Sequence, residues 1–162
     1  MDTFPDTRNT IDETVMTYTD MIYKIAIQNL KRKSDCEDVI QEVFIKFMKE
    51  QNFADEFHKK AWLIRVTINQ CRDFNKTAWY RKTESLVNHE LPFTMEEETV
   101  LHELDKLSTN YKNVIYLYYY EKYTISEIAS IMKKNENTIS SQLTRARKKL
   151  KLILSEGGYN DE

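Results

Sequence analysis

Four polar or basic side chains near the end of the chain recur at three- and four-residue spacing. They are Thr138, Ser141, Arg145 and Lys148. In an α-helix this spacing places all four on one face, because each residue advances about 100° around the axis. Hydroxyl groups on such a face can approach base edges, and the two cations can reach phosphates or guanine. The pattern predicts a helical face suited to a nucleic-acid duplex.

The residues around this face predict two helices joined by a tight turn. Thr124 and Glu127 have the spacing of a capping box at the start of a short helix, and Asn135 is a favourable N-cap for a longer one. This arrangement is a helix-turn-helix, whose second helix enters the DNA major groove. A helical hairpin with a merely solvated basic face is the structural alternative. The stripe expected to be buried opposite the polar face comprises Ile139, Leu143, Ala146, Leu150 and Ile153.

A second candidate nucleic-acid surface lies in the middle of the chain. A long helix is predicted from residue 60 to about 77, apolar nearly all round at first and then rich in cations and aromatic rings. Such a mixture suits single-stranded nucleic acid, although an aromatic pair closing a core would look similar. We expect Asn69 in this helix to be buried and hydrogen-bonded to a loop predicted at residues 53–60. The basic and aromatic residues of the second half are Arg72, Asn75, Lys76, Trp79, Tyr80, Arg81 and Lys82.

A helix predicted from residue 35 to about 50 carries a candidate docking ridge. Ser34 and Glu37 have capping-box spacing, so we expect them to open this helix. An isolated exposed isoleucine is ordinarily unremarkable, but Ile45 lies among carboxylates and amides at matched helical spacing. This row suggests a docking ridge for a basic partner, and its residues are Asp38, Gln41, Glu42 and Ile45.

Charge is strongly segregated, although the net charge of the 162 residues is only -2. Residues 58–83 hold seven basic and one acidic residue, residues 84–106 hold one basic and seven acidic, and residues 133–151 again hold seven basic and one acidic. Two polyanion-binding surfaces joined by an acidic linker would give this distribution.

With only two Gly and two Pro, the chain is predicted to be all-α: a flexible N-terminus (1–10), two small helical domains (11–83 and 97–155) joined by an acidic linker (84–96), and a tail (156–162).

Several function classes lack support in the sequence. The chain has no Gly-rich phosphate loop and no His pair at metal-ligand spacing, so neither an enzyme nor a metal or other cofactor is expected. Cys36 and Cys71 lie on different predicted helices and are expected to be buried, reduced thiols. No stretch approaches the roughly 20 apolar residues of a membrane span, so a cytoplasmic protein without membrane insertion is expected.

Three segments together resemble a known family, the small sigma factors of bacterial RNA polymerase of the extracytoplasmic-function type. DCEDVIQEVFIKFM resembles the family's core-binding helix, KAWLIRVTINQCRDF the helix that follows it, and EIASIM with TISSQLTRARKKL the promoter-reading helix-turn-helix. The resemblance runs from about residue 11 to 154 in the expected order. It implies a promoter-specificity subunit that has no catalysis of its own. Its partners would be core RNA polymerase and promoter DNA, both duplex and unpaired, and the resemblance also suggests an anti-sigma factor.

The resemblance implies a role for each candidate surface. The ridge of Asp38, Gln41, Glu42 and Ile45 would bind core polymerase. An unpaired base and the backbone of the minus-ten element would be held by Phe53, Phe57, Lys60, Arg65, Asn69, Arg72 and Lys76. The minus-thirty-five duplex would be read by Thr138, Ser141, Gln142, Arg145 and Lys148.

The sequence departs from the family pattern in the helix-turn-helix. Lys133 and Asn137 stand where Gly is common, and Ser140 and Gln142 stand where Lys and Arg are frequent. The preferred bases therefore cannot be inherited from relatives. Two other classes stay open: a stand-alone helix-turn-helix regulator, which would bind DNA without polymerase, and a helical protein-interaction module, which would bind no DNA.

Overall fold

The computed structural model describes residues 7–50, 52–78 and 106–156. These residues are helical apart from short connections, which confirms the predicted all-α class. The chain divides into two compact units, residues 1–89 and 90–162. The aromatic and basic residues 79–82 and the predicted linker at 84–96 lie outside the described residues. The proposed domain boundaries therefore stay predictions.

Three helices form the first unit: α1 (Thr7–Asn29), α2 (Lys33–Lys49) and α3 (Glu56–Ala78). α1 begins at Thr7, within the N-terminal segment (1–10) that the sequence analysis predicted to be flexible. Each helix turns one apolar face towards the other two, and burial of these faces is the main force that holds the unit together. The core side chains that are at most 2% exposed include Ile22, Ile25, Leu30, Val39, Val43, Leu63 and Ile64.

The predicted capping box at the start of α2 is wrong. The helix begins at Lys33, and its N-cap is Arg32, which has extended backbone angles and no capping hydrogen bond from its side chain. The Arg32 carbonyl oxygen accepts the first helical hydrogen bond, from the amide of Cys36 at 3.1 Å. Ser34 therefore lies inside the first turn, where its hydroxyl cannot act as an N-cap.

The loop predicted at residues 53–60 is also too long, because α3 begins at Glu56. Asp55 Oδ1 accepts a hydrogen bond from the backbone amide of His58 at 2.9 Å, and the Asp55 carbonyl oxygen accepts one from Lys59 at 3.1 Å. Asp55 therefore caps the helix about one turn earlier than apolar periodicity indicated. The described residues between α2 and α3 are therefore Glu50 and residues 52–55.

The second unit contains α4 (Thr109–Ile115), which continues into a π-helix (Tyr116–Tyr120), followed by α5 (Ile125–Met132) and α6 (Glu136–Glu156). Ser108 is the N-cap of α4, since its side chain accepts a hydrogen bond from the amide of Tyr111 at 3.4 Å. The buried core of the unit includes Val114, Leu117, Ile128, Ile139 and Leu143.

The helix-turn-helix is confirmed in its local details. The Thr124 amide donates to Glu127 Oε1 at 3.0 Å, and the Glu127 amide donates to Thr124 Oγ1 at 3.1 Å, which completes the capping box. Asn135 caps α6, because its Oδ1 accepts a hydrogen bond from the Asn137 amide at 2.8 Å.

Lys133, at the end of α5, adopts the left-handed conformation usual for glycine, with φ 51° and ψ 50°. The amide of Lys134 donates to the carbonyl of Ala129 at 2.9 Å, and the amide of Lys133 donates to that of Ser130 at 3.3 Å. These two hydrogen bonds form a Schellman motif, which ends α5 and redirects the chain towards α6. The turn thus keeps its usual geometry although a lysine replaces the glycine.

Candidate nucleic-acid interface

The predicted polar face of α6 is exposed along its length. Thr138, Ser141, Arg145 and Lys148 are all solvent-accessible. On the opposite side, the first three residues of the predicted apolar stripe are at most 1% exposed, and Leu150 and Ile153 are half-buried. The α6 helix therefore packs through one face and presents the other, as its periodicity predicted.

Gln142 differs from the other four candidate residues for duplex recognition. Its side chain is half-buried, and its Oε1 atom is buried with no hydrogen-bond partner among the described residues. Burial of an amide oxygen that accepts no hydrogen bond costs free energy. A new hydrogen-bond donor would therefore stabilise the Gln142 side chain. In this conformation Gln142 is less accessible to a duplex than the exposed stripe.

The basic charge of α6 is not neutralised by nearby carboxylates. Within residues 106–156, none of its five exposed cations forms an ion pair with a described acidic residue. An unpaired cluster of cations creates a positive potential that attracts phosphate groups. These cations are Arg145, Arg147, Lys148, Lys149 and Lys151.

Tyrosines of α4 and of the π-helix that continues it hold two of these cations. The Nε atom of Arg147 donates to the hydroxyl of Tyr119 at 2.5 Å, and its guanidinium lies 5.2 Å from the ring centroid of Tyr118 and 5.5 Å from that of Tyr119. The hydrogen bond to Tyr119 raises the pKa of Arg147 above its usual value. Lys149 Nζ lies 5.6 Å from the ring centroid of Tyr111. Sequence reasoning missed these pairs, although the tyrosine-rich run YLYYY was a visible signal.

Four of the candidate residues on α3 form a stripe, and Lys60 lies off it. Arg65, Asn69, Arg72 and Lys76 share one face by their spacing; Arg65 is half-buried and the other three are exposed. Lys60 is half-buried and lies about 140° around the helix from Arg65.

The prediction that Asn69 is buried and ties down a loop is wrong. Asn69 is exposed, and no hydrogen bond joins it to the described loop residues 52–55. The reason is the orientation of α3, which buries Leu63, Ile64, Thr67, Ile68 and Cys71 rather than the stripe that contains Trp62 and Asn69.

Aromatic packing holds the loop before α3. The ring of Phe53 stacks on Phe47 of α2 at a centroid distance of 5.9 Å and meets the edge of Trp62 of α3 at 5.4 Å. Phe53 is consequently half-buried, whereas Phe57 is 45% exposed and meets the His58 ring edge to face at a centroid distance of 5.7 Å. Phe57 is thus the more accessible of the two candidate aromatic residues for stacking on a base.

Polar contacts that the sequence did not reveal attach both ends of α3 to α1. At its start, Glu56 accepts a hydrogen bond from the Tyr18 hydroxyl at 2.8 Å, and Lys59 donates to Thr14 Oγ1 at 3.4 Å. Near its end, Asn75 Nδ2 donates to the carbonyl of Asn29 at 3.0 Å. These contacts position the face that carries Arg72 and Lys76.

The candidate docking ridge lies on the outer face of α2. Asp38 and Gln41 are exposed, Glu42 is half-buried and Ile45 is 40% exposed. Val39 and Val43 on the inner face are at most 1% exposed. The helix therefore has the predicted buried inner face and polar outer face, and Ile45 is an accessible apolar side chain on the outer face.

The two cysteines are buried and free, as predicted. Burial raises the pKa of Cys36 to about 12, which keeps its thiol protonated and unreactive at neutral pH. Among the described residues, no group of His, Cys, Asp and Glu side chains could hold a metal ion. Nor does any helix within those ranges have the length and apolar character needed to cross a bilayer.

Comparisons with known proteins match both units to one family. Residues 14–81 match Sigma-70 region 2, and residues 97–150 match Sigma-70, region 4. The ECF RNA polymerase sigma factor SigM of Bacillus subtilis is 28% identical over 166 residues, which covers 94% of this chain and 99% of SigM. RNA polymerase sigma factor SigV of the same organism is 27% identical and covers 83% of this chain and 84% of SigV.

A solved structure shares the fold. The sigma factor RpoE from Bartonella quintana, crystallised with the anti-sigma factor NepR, has a TM-score of 0.69 and 20% identity, and the match covers 89% of this chain and 96% of RpoE. The two matched sigma-70 regions together span more than half of the chain, in the order in which the helical ridge, the α3 stripe and the helix-turn-helix occur. The chain therefore belongs to the sigma-70 family of RNA polymerase sigma factors, in its extracytoplasmic-function group, and directs transcription initiation as an alternative sigma factor.

Proposed function

We propose that the two units divide promoter recognition between them. The first unit docks on core RNA polymerase and holds an unpaired base of the minus-ten element, and the second unit reads the minus-thirty-five element as a duplex. The observation that carries this proposal is the exposed, unneutralised basic face of α6 that follows a capped helix-turn-helix. The polymerase supplies the catalytic chemistry, and this chain contributes only binding.

Core polymerase binds to the α2 ridge in this proposal. Ile45 supplies an exposed apolar contact, and Asp38 and Gln41 supply exposed polar groups on the same side of the helix. Interfaces of this kind place their most important contacts at a desolvated apolar centre and surround it with polar residues. The acidic side chains favour a partner surface that carries basic residues.

The minus-ten site lies around the start of α3. The exposed ring of Phe57 can stack on a base that has left the duplex, while Phe53, with its ring packed in the aromatic cluster, fixes the loop. Arg65, Asn69, Arg72 and Lys76 line the face along which the strand backbone would run, and Lys60 would act from the side. Capture of an unstacked base offsets an unpairing cost of a few kcal/mol, so it favours the open promoter.

The minus-thirty-five site is the outer face of α6. Thr138 and Ser141 have short side chains that allow the helix to approach base edges, and Arg145 and Lys148 reach farther. Gln142 would join them only after its side chain leaves its half-buried position. Linkage of both units through polymerase raises the effective concentration of the second site once the first is bound.

An anti-sigma factor is a further proposed partner. RpoE from Bartonella quintana was solved with the anti-sigma factor NepR, and CnrH with the cytosolic domain of CnrY; CnrH has a TM-score of 0.64 to this chain. A similar inhibitor would cover the polymerase-binding or DNA-binding surfaces of this chain. Because the polymerase works in the cytoplasm, we propose that this chain acts there.

The experiment that tests the proposed function is run-off transcription with purified bacterial core polymerase on genomic fragments from the source organism. Discrete start sites that require this chain are expected, and their upstream sequences would define the promoter. The control is the same polymerase with a different sigma factor, which shows that the enzyme is competent. No new start site, together with sequence-specific DNA binding by the chain alone, would instead support the stand-alone regulator.

A further inference from the structure

Two cations on α6 differ from the others because aromatic rings hold them. The Arg147 guanidinium is hydrogen-bonded to the Tyr119 hydroxyl at 2.5 Å and lies over the rings of Tyr118 and Tyr119. The Lys149 ammonium lies 5.6 Å from the ring centroid of Tyr111. Both cations are exposed, and neither forms an ion pair with a carboxylate in the part of the chain that the structure describes.

The two held cations lie on opposite flanks of the exposed face. Arg147 and Lys149 each lie about 100° around the helix from Lys148, in opposite directions. The major groove is about 12 Å wide, and an α-helix with its side chains is about 10–12 Å across. The flanks of a helix in the groove therefore face the two phosphate backbones that border it, while the residue between them faces the bases.

A tyrosine partner affects an exposed cation differently from a carboxylate partner. A carboxylate would cancel the positive charge, whereas a neutral tyrosine restrains the side chain and leaves its charge available. A restrained side chain also loses less conformational entropy when it binds a ligand. The tyrosines therefore prepare Arg147 and Lys149 to bind anions without neutralising them.

We propose that Arg147 and Lys149 are phosphate-binding residues, held by Tyr119, Tyr118 and Tyr111 so that each contacts one of the two DNA backbones beside α6. The inference rests on the proposed entry of α6 into the minus-thirty-five duplex. In this proposal Arg147 and Lys149 contribute to DNA affinity and to the position of α6 along the duplex. Base selection is left to Ser141, Arg145 and their neighbours. The tyrosines act as positioning residues, because they orient the cations without touching DNA.

The first test measures how DNA binding by the reconstituted holoenzyme depends on salt concentration. The probes are a duplex promoter fragment identified by run-off transcription and the same fragment with a scrambled minus-thirty-five element. Arg147→Gln and Lys149→Gln should each lower the slope of log K against log[salt] by about 0.9, which corresponds to one phosphate contact. Both variants should weaken binding to the two probes equally. The control Lys33→Gln removes one exposed positive charge at the start of α2 and should leave the slope unchanged.

The outcome separates this inference from the function on which it rests. If the wild-type holoenzyme does not prefer the promoter fragment to the scrambled one, the proposed reading of the minus-thirty-five element fails. If the wild type prefers the promoter but both glutamine variants keep its salt slope, Arg147 and Lys149 contact no phosphate and the inference is overturned.

A second test examines the positioning role of Tyr119. Tyr119→Phe keeps the ring and removes the hydroxyl that accepts a hydrogen bond from Arg147, so DNA binding should weaken. In the Arg147→Gln background the same substitution should cause no further loss of DNA affinity. Tyr120→Phe is the matched control, because the Tyr120 ring stacks on Tyr116 at 5.0 Å instead of on Arg147. An equal loss for Tyr119→Phe in both backgrounds would contradict the positioning role. Thermal unfolding of each variant separates an effect on DNA binding from one on stability.

Discussion

The hydroxyl of Tyr18 in α1 donates a hydrogen bond of 2.8 Å to Oε2 of Glu56, the first residue of α3. Glu56 also pairs with Lys59, whose Nζ lies 3.4 Å from Thr14 Oγ1 in α1. The start of α3 is thus attached to α1 by contacts between residues far apart in the sequence. This attachment matters for function, because the proposed minus-ten loop ends where α3 begins.

Removal of the Tyr18 hydroxyl should destabilise the first unit slightly. Tyr18→Phe keeps the ring and deletes one partly exposed hydrogen bond, so we expect a loss of about 0.5–1 kcal/mol in the free energy of unfolding. Tyr23→Phe is the control, because the buried Tyr23 hydroxyl has no hydrogen-bond partner among the described residues and its removal should cost nothing. Urea unfolding followed by circular dichroism measures both, and equal losses would argue against the Tyr18 contact.

Ile45→Glu should weaken association with core polymerase by about tenfold or more, or about 1.4 kcal/mol. The side chain is exposed, so folding should change by less than about 0.5 kcal/mol. Met16→Glu is the matched control, since Met16 is 85% exposed on α1 and lies outside the ridge. Fluorescence anisotropy with labelled chain and unlabelled core measures the affinity. Unchanged core affinity of Ile45→Glu would show that the ridge does not bind core polymerase.

Arg145→Ala should weaken binding to the promoter duplex by about 1–3 kcal/mol if Arg145 contacts a base. The loss should be greatest on the native promoter and smaller on fragments substituted at the contacted base pair. Holoenzyme binding to this series of fragments is the measurement. An identical loss on every fragment would assign Arg145 to a phosphate instead.

Lys133→Gly should stabilise the second unit by about 0.5–1 kcal/mol. Lysine at φ 51° has an unfavourable left-handed conformation that glycine adopts freely, and this gain exceeds the greater entropy of glycine in the unfolded chain. Lys134→Gly is the control, because Lys134 is not among the positive-φ residues and gains no such relief. Thermal unfolding compares the two, and a lower midpoint for Lys133→Gly would contradict the interpretation of the turn.

The cap at the start of α3 should depend on pH. Hydrogen bonds from the amide and ring of His58 hold the pKa of Asp55 below its usual value of 3.8. Because the folded pKa is depressed, the stabilisation is present above pH 3.8 and is lost as the pH falls through the lower folded value. Asp55→Asn keeps a capping oxygen but cannot titrate, so its stability should fall less steeply below pH 4 than that of the wild type. Parallel pH profiles would show that Asp55 contributes nothing.

Local patterns alone were sufficient to predict the helix-turn-helix. The Thr124 capping box, the Asn135 cap and the apolar stripe of α6 each involve residues within a few turns of one another. Their interactions depend on backbone geometry that the chain itself dictates, so these features could be derived before any tertiary contact was known. The exposed Ile45 ridge followed from periodicity in the same way.

Tertiary packing decided the remaining features, because they depend on which face of a helix meets its neighbours. Asn69 shares a helix with many buried residues, yet the orientation of α3 against α1 and α2 leaves it exposed and makes Asn75 the tether instead. Arg147 looked like one more cation in a basic run until the fold brought it to Tyr119, 28 residues away in the sequence. Pairings of this kind have no local signature, since the energy of the contact appears only when the two helices pack together.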